Sequence, residues 1–182
     1  MKKVLIAVFV LSLAVSNAMA KISVKASFDE GRTEGAGNNG FSLSGEYIWS
    51  FGRIFSLGIG AEYILPRKVK TSSLTDISFL PLYTMVKVKI PKANIYGKTN
   101  IGWSVFANVD DHVVNGQFYD HTEGGLYISE SIGYEHPKGF FIEFGYEICG
   151  YSYNHTSFHP RYYTDNHSNS FDKTYLGIGY LF

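Results

Sequence analysis

The last nine residues, Thr174-Tyr175-Leu176-Gly177-Ile178-Gly179-Tyr180-Leu181-Phe182, constrain the fold more than any other stretch. Read backwards in steps of two, one face carries Phe182, Tyr180, Ile178, Leu176 and Thr174. The other carries Leu181, Gly179, Gly177 and Tyr175, with Lys173 next in phase. A strand turns successive side chains to opposite faces, so this is a strand with one apolar face and one small or polar face. The apolar face runs without a break to an aromatic residue.

The same alternation recurs along the chain. Eight segments read as strands, at about 22–28, 40–50, 54–64, 77–90, 95–107, 124–135, 140–148 and 174–182. In the second, Phe41, Leu43, Gly45, Tyr47 and Trp49 oppose Ser42, Ser44 and Glu46. In the third, Phe55, Leu57, Ile59, Ala61 and Tyr63 oppose Ser56, Gly58, Gly60 and Glu62. Small residues facing large ones suit a narrow barrel interior. The sixth is ambiguous. Glu130 shares a face with Leu126, Ile128, Ile132 and Tyr134, so either a charge points outward or a bulge shifts the register. The connections alternate in length: 29–39, 65–76, 108–123 and 149–170 are long, whereas 51–53, 91–94 and 136–139 are tight turns.

The start of the chain reads as an export signal. Lys2 and Lys3 precede the apolar run 4–15, and Ala18-Met19-Ala20 forms a small-residue cleavage site, so 1–20 is expected to be a signal peptide and 21–182 a single domain. Removing Lys2 and Lys3 leaves 14 of the 16 basic residues against 16 acidic ones, a balance that suggests no nucleic-acid partner. Aromatics make up 16% of the chain and glycines number 19, a mixture that favours strands and turns over helices. The single Cys149 has no internal disulfide partner. No later apolar run is long enough to cross a membrane as a helix, and only a closed barrel can cross with strands.

Together these features predict an all-β fold, an eight-stranded antiparallel up-and-down transmembrane β-barrel with short turns at one end and long loops at the other. Tyr47, Trp49, Trp103, Tyr146 and Tyr180 fall where aromatic girdles meet the membrane interfaces. Lys25, Glu46, Glu62, Lys87, Lys89, Lys98, Glu143, Glu147 and Lys173 fall on the inward face. Charges so enclosed must be paired and hydrogen-bonded, which predicts a lumen charge network. Glu143 and Glu147 share a strand face about 13 Å apart, too far for a shared-proton pair unless another strand contributes. The alternative is a water-soluble β protein whose core these aromatics fill.

The terminal pattern at Leu176, Ile178, Tyr180 and Phe182 resembles the C-terminal signature of bacterial outer-membrane β-barrels, which the barrel-assembly machinery reads during insertion. The stretch Ser78-Phe79-Leu80-Pro81-Leu82-Tyr83-Thr84-Met85-Val86-Lys87-Val88 is similar to the fourth strand of the small outer-membrane β-barrel and opacity-porin families. Ile95-Tyr96-Gly97 and Asn100-Ile101-Gly102-Trp103 resemble their next strand. The resemblance implies an eight-stranded monomer in outer-membrane lipid, with no catalytic residues; no cofactor is expected from the sequence. The roles it implies are adhesion, surface exposure and support of the envelope.

Three functions remain open on the sequence. The first is a structural or surface-interaction protein whose outer loops meet a host or cell-surface ligand. The second is a narrow porin for small solutes. The third is a lipid-modifying enzyme, since His167-Ser168-Asn169-Ser170 faintly resembles a segment of outer-membrane lipid A deacylases; the spacing fails in detail, and no catalytic residue is assigned. Five of the six histidines, His112, His121, His155, His159 and His167, lie in the third and fourth long loops. His155 and His159 have ligand chemistry, but histidines there are as well explained as polar surface, and no metal site is assigned.

Overall fold

The computed structural model describes residues 19–31, 39–67, 77–109, 113–114, 117–159 and 161–182. All but the last two residues of the expected signal peptide lie outside them; Met19 and Ala20 begin the first strand.

The strands are β1 (Met19–Gly31), β2 (Asn39–Phe51), β3 (Phe55–Arg67), β4 (Ile77–Ile90), β5 (Ile95–Val109), the two-residue β6 (Val113–Val114), β7 (Gln117–Glu135), β8 (Phe140–His159) and β9 (Arg161–Leu181). The eight long strands pair antiparallel with their chain neighbours, and β1 pairs with β9, closing the sheet on itself. β6 pairs only with β7 and lies outside the ring. The architecture is a closed eight-stranded antiparallel barrel, and among the described residues there is no helix.

The ladder registers fix its dimensions. From Glu30 on β1, paired residues run Thr174, Tyr146, Glu130, Thr99, Val86, Leu57, Trp49 and back to β1 at Ala20. One circuit therefore climbs ten residues (30 minus 20) along β1. With eight strands, that stagger corresponds to a tilt of about 40° and a backbone radius of about 8 Å, which leaves room inside for side chains and little else.

Alternation dictates the faces. On β2 the burial follows the sequence residue by residue, with Phe41, Leu43 and Tyr47 exposed and Ser42, Ser44 and Glu46 buried. The short turns are set by local chemistry. Asn94 adopts φ 57° and Gly139 φ 95°, conformations that Asn and Gly tolerate at low cost. The Gly139 amide donates to the His136 carbonyl at 2.9 Å. Pro81, which has no N–H to give the ladder, sits at a register shift between β4 and β5.

The strand segments extend beyond their sequence-based bounds, and two expected loops require correction. Much of 149–170 is not a loop. β8 and β9 stay in register for twenty consecutive pairs, from Phe140↔Tyr180 to His159↔Arg161. β7 likewise begins at Gln117, inside the expected third loop. From His155 to Asn169 the sequence carries no sustained alternation of apolar and polar residues, the signal by which a strand is read. The Tyr, Phe and Thr residues still favour extended backbone. The turn expected at 51–53 lies at 52–54. In the sixth segment, no register shift falls between Leu126 and Tyr134 against β5, so Glu130 points outward.

Candidate functional site

The inward face of the barrel carries three stacked layers of charged residues and an aromatic cap. All nine residues expected in a lumen charge network lie on that face.

At the end bearing the short turns, Glu135 accepts hydrogen bonds from Lys87 Nζ at 2.5 Å and Lys89 Nζ at 2.8 Å. Lys87 Nζ also lies 3.9 Å from the centre of the Tyr96 ring. In the middle, Glu143 is the hub. Its Oε1 accepts from Lys25 Nζ (3.0 Å) and Tyr175 Oη (2.8 Å). Its Oε2 accepts from Tyr96 Oη (2.9 Å) and pairs with Lys98 Nζ (2.8 Å). Glu46 Oε1 accepts from Lys98 Nζ at 2.9 Å and Tyr83 Oη at 3.1 Å. Four donors on one carboxylate satisfy its lone pairs, the condition on which a buried charge is stable.

The next layer centres on Lys173, which is fully buried. Its Nζ lies 2.9 Å from Glu62 Oε1, 3.4 Å from Asp29 Oδ2 and 3.4 Å from Glu147 Oε1, and donates to Ser42 Oγ at 3.3 Å. Glu143 and Glu147 thus belong to different layers. Above them an apolar cap closes the lumen. Phe79 stacks on Phe171 with centroids 5.6 Å apart and meets Tyr151 at 5.7 Å, while Tyr83 stacks on Tyr127 at 5.3 Å. Ile64 and Cys149 fill the remaining space and are wholly buried.

Glycines on the inward face make room for this filling. A Cβ on Gly60 would come within 2.7 Å of the Tyr83 ring, and one on Gly145 within 2.7 Å of Tyr175. The buried tyrosines that donate to the carboxylates therefore lie flat on glycines of adjacent strands.

Five lumen residues were not anticipated, Asp29, Glu135, Tyr83, Tyr96 and Tyr127, while Tyr175 falls on the inward phase of Lys173 as its alternation predicts. Asp29 was assigned to a loop, yet it pairs within β1–β2 and continues the phase of Lys25 and Ser27. Glu135 continues the phase of Ser129 and Gly133. Extending each alternation by one step would have found both. In the middle two layers the described residues place three lysines, Lys25, Lys98 and Lys173, among five carboxylates, Asp29, Glu46, Glu62, Glu143 and Glu147.

The outward face carries an apolar band between two levels of aromatic rings. Trp49, Tyr47, Phe55, Tyr134, Phe140, Tyr180 and Phe182 lie toward the short turns; Phe28, Phe41, Tyr63, Trp103 and Tyr146 lie toward the other end. Six to eight residues along a tilted strand separate the levels by about 15–20 Å. The expected girdle residues divide between them, with Tyr47, Trp49 and Tyr180 on one and Trp103 and Tyr146 on the other. Leu176, Ile178, Tyr180 and Phe182 face outward on β9, and the Phe182 amide donates to the Ile22 carbonyl at 2.8 Å. Glu130, also exposed, lies between the levels, beside Thr99 and Tyr146.

His155, His159, His167 and Ser168 lie on β8 and β9, and His121 on β7, outside the residues whose side chains are described. His112 lies outside the described residues altogether.

No family model and no curated protein sequence matches the chain. Its fold matches solved outer-membrane barrels. These include Neisserial surface protein A, NspA (TM-score 0.55, 12% identity, 91% of this chain and 97% of that one), and OprG of Pseudomonas aeruginosa (0.56, 12%, 91% and 97%). A third is Ail of Yersinia pestis, the attachment invasion locus protein, crystallised with the heparin analogue sucrose octasulfate (0.51, 12%, 91% and 99%). At such identity the likeness is one of fold: the chain adopts the architecture of the small eight-stranded outer-membrane barrels.

Proposed function

We propose that this chain is an integral outer-membrane barrel that displays a recognition hairpin and neither conducts solutes nor catalyses a reaction. The carrying observation is the β8–β9 ladder, unbroken for twenty pairs. The outward apolar face ends near Ile148, so about ten residues of each strand continue past it, roughly 30 Å of paired backbone. The pairing makes a stiff projection of what would otherwise be a floppy loop. It is rich in Tyr, Asn, Ser and His at 151–169. Rigid aromatics with adaptable amides and hydroxyls suit contact with protein or glycan surfaces. The ligand class is therefore a host or neighbouring-cell surface, and the barrel beneath is the anchor. The fold also serves in Ail, a protein named for attachment, which fits such a role without assigning it.

The filled lumen counts against the porin reading, because aromatic rings and ion pairs occupy the interior beyond the short-turn mouth. Export through the signal peptide and insertion by the barrel-assembly machinery, as a monomer in outer-membrane lipid, complete the proposal.

The test excises 153–167 and rejoins the paired residues Ser152 and Ser168 through an Asn-Gly turn, which closes a two-stranded hairpin without strain. The shortened barrel is expected to reach the membrane at the wild-type level while cell attachment falls to background. Attachment equal to wild type would refute the recognition role of this hairpin.

A further inference from the structure

We propose that the mouth of the barrel at the three short turns binds a small, water-soluble polyanion bearing phosphate groups. The mouth encloses a cavity of about 470 Å³, within the range of small-molecule sites. Lys21, Arg53, Lys87 and Lys89 line it against a single acid, Glu135. That carboxylate is already shared by Lys87 and Lys89. Among the described residues no carboxylate lies within ion-pair distance of Lys21 or Arg53. The lining thus carries a formal surplus of three positive charges (four minus one).

The rim has the same sign. The turns 52–54, 91–94 and 136–139 contribute Arg53, Lys92 and Lys138 and contain no Asp or Glu. A recess with low-dielectric walls and one sign of charge concentrates counter-ions. Ser50 and Ser56, joined by a 3.2 Å hydrogen bond, and Asn94 add neutral polar groups to the lining. Compact ammonium groups and the guanidinium fork match a multiply charged tetrahedral oxyanion. A lone carboxylate would neutralise only part of the surplus.

The site is a dead end. Lys87 Nζ, in the lining, lies against the ring face of Tyr96, whose hydroxyl donates to Glu143 in the layer beyond. The two layers past the mouth together hold five carboxylates against three lysines, an excess that repels an anion. The polyanion is therefore held, not passed through. The outer-membrane reading sets only which compartment the mouth faces, the periplasm; the binding chemistry does not depend on the hairpin's role.

The experiment is calorimetric titration of the refolded barrel with inorganic pyrophosphate. It is run in uncharged detergent, and again in phosphatidylcholine nanodiscs with and without phosphatidylglycerol. Saturation at one equivalent per barrel is expected, weakening as salt rises. Arg53→Gln and Lys89→Gln should each lower the affinity about fivefold to tenfold, the usual worth of a charged hydrogen bond at a half-open site. Glu135→Gln should raise it. Lys92→Gln with Lys138→Gln, at the exposed rim, should change it less than about twofold. Arg53 lies in an exposed turn, so its variant folds, and a heat-modifiable gel shift checks the others. Absence of saturable binding in detergent, or indifference to both Arg53→Gln and Lys89→Gln, would overturn the proposal. So would loss of pyrophosphate binding when phosphatidylglycerol is added, since that would assign the cations to a lipid headgroup.

Discussion

A single ammonium group organises the upper lumen. Lys173 Nζ stands within 3.4 Å of three carboxylates and has no access to water. Replacing it by Met keeps most of the bulk and strips Asp29, Glu62 and Glu147 of the cation they share, although Glu62 keeps Lys25 Nζ at 4.0 Å. Removing one partner of a buried pair costs about 3–5 kcal/mol, so Lys173→Met is expected to lower the urea midpoint of the refolded barrel by that equivalent. Glu147→Gln leaves Lys173 two carboxylates and should change stability by about 1 kcal/mol or less. Equal effects of the two substitutions would show that the lysine is not the hub. Glu130 presents the converse case, an exposed charge on the outward apolar face, which the proposal puts in lipid. A carboxylate there opposes insertion to a depth-dependent degree, so Glu130→Leu should stabilise the barrel by about 1 kcal/mol. The same unfolding assay reads it, and a loss of stability would mean that Glu130 has an unseen partner.

At the scale of elements, β9 performs two separable tasks. In the folded barrel it closes the ring against β1; before folding, the proposal has its last residues recognised by the assembly machinery. Deleting Phe182 removes one terminal hydrogen bond, to Ile22, at an end that frays in any case. The deletion should change in-vitro stability by less than about 0.5 kcal/mol while sharply reducing the membrane-fraction yield in cells. Equal yields from the two chains would leave only an amphipathic strand. Strand legibility divides along the same line. Wherever one face met lipid and the other the lumen, period two named the strand and its phase, as in Lys25–Glu143 or Phe41–Ser42. It failed in the outer halves of β7, β8 and β9, where the backbone stays extended but the sequence no longer alternates apolar with polar residues. The charge network was legible as residues and not as partners. Which lysine meets which glutamate depends on the ten-residue stagger, a property of all eight ladders together that no local window contains.

For the whole molecule, the lumen layers and their cap act in series. An aromatic cap, a carboxylate-rich middle and a basic mouth together leave no continuous aqueous path among the described residues. In planar bilayers the purified barrel is expected to give little or no steady conductance, and long-lived uniform openings of large conductance would contradict the filled lumen. Opening a path would require breaking several buried ion pairs at once, which disfavours gating by thermal fluctuation of any one side chain.

The ten-residue climb around the barrel also sets where this chain can change in length. Inserting one residue into β1 between Lys25 and Phe28 would turn every later residue of that strand inside out and misalign both its seams, with β2 and β9. The short turns are equally intolerant, since Asn94 and Gly139 are held at dihedrals that few replacements share. The projecting end of β8 and β9 is bound by neither restriction, because residues can be added there in facing pairs without altering the ring. Lengthening and diversification are therefore channelled to one pole of the molecule, and descendants of this sequence should differ most in the reach of that hairpin while their circumference stays fixed.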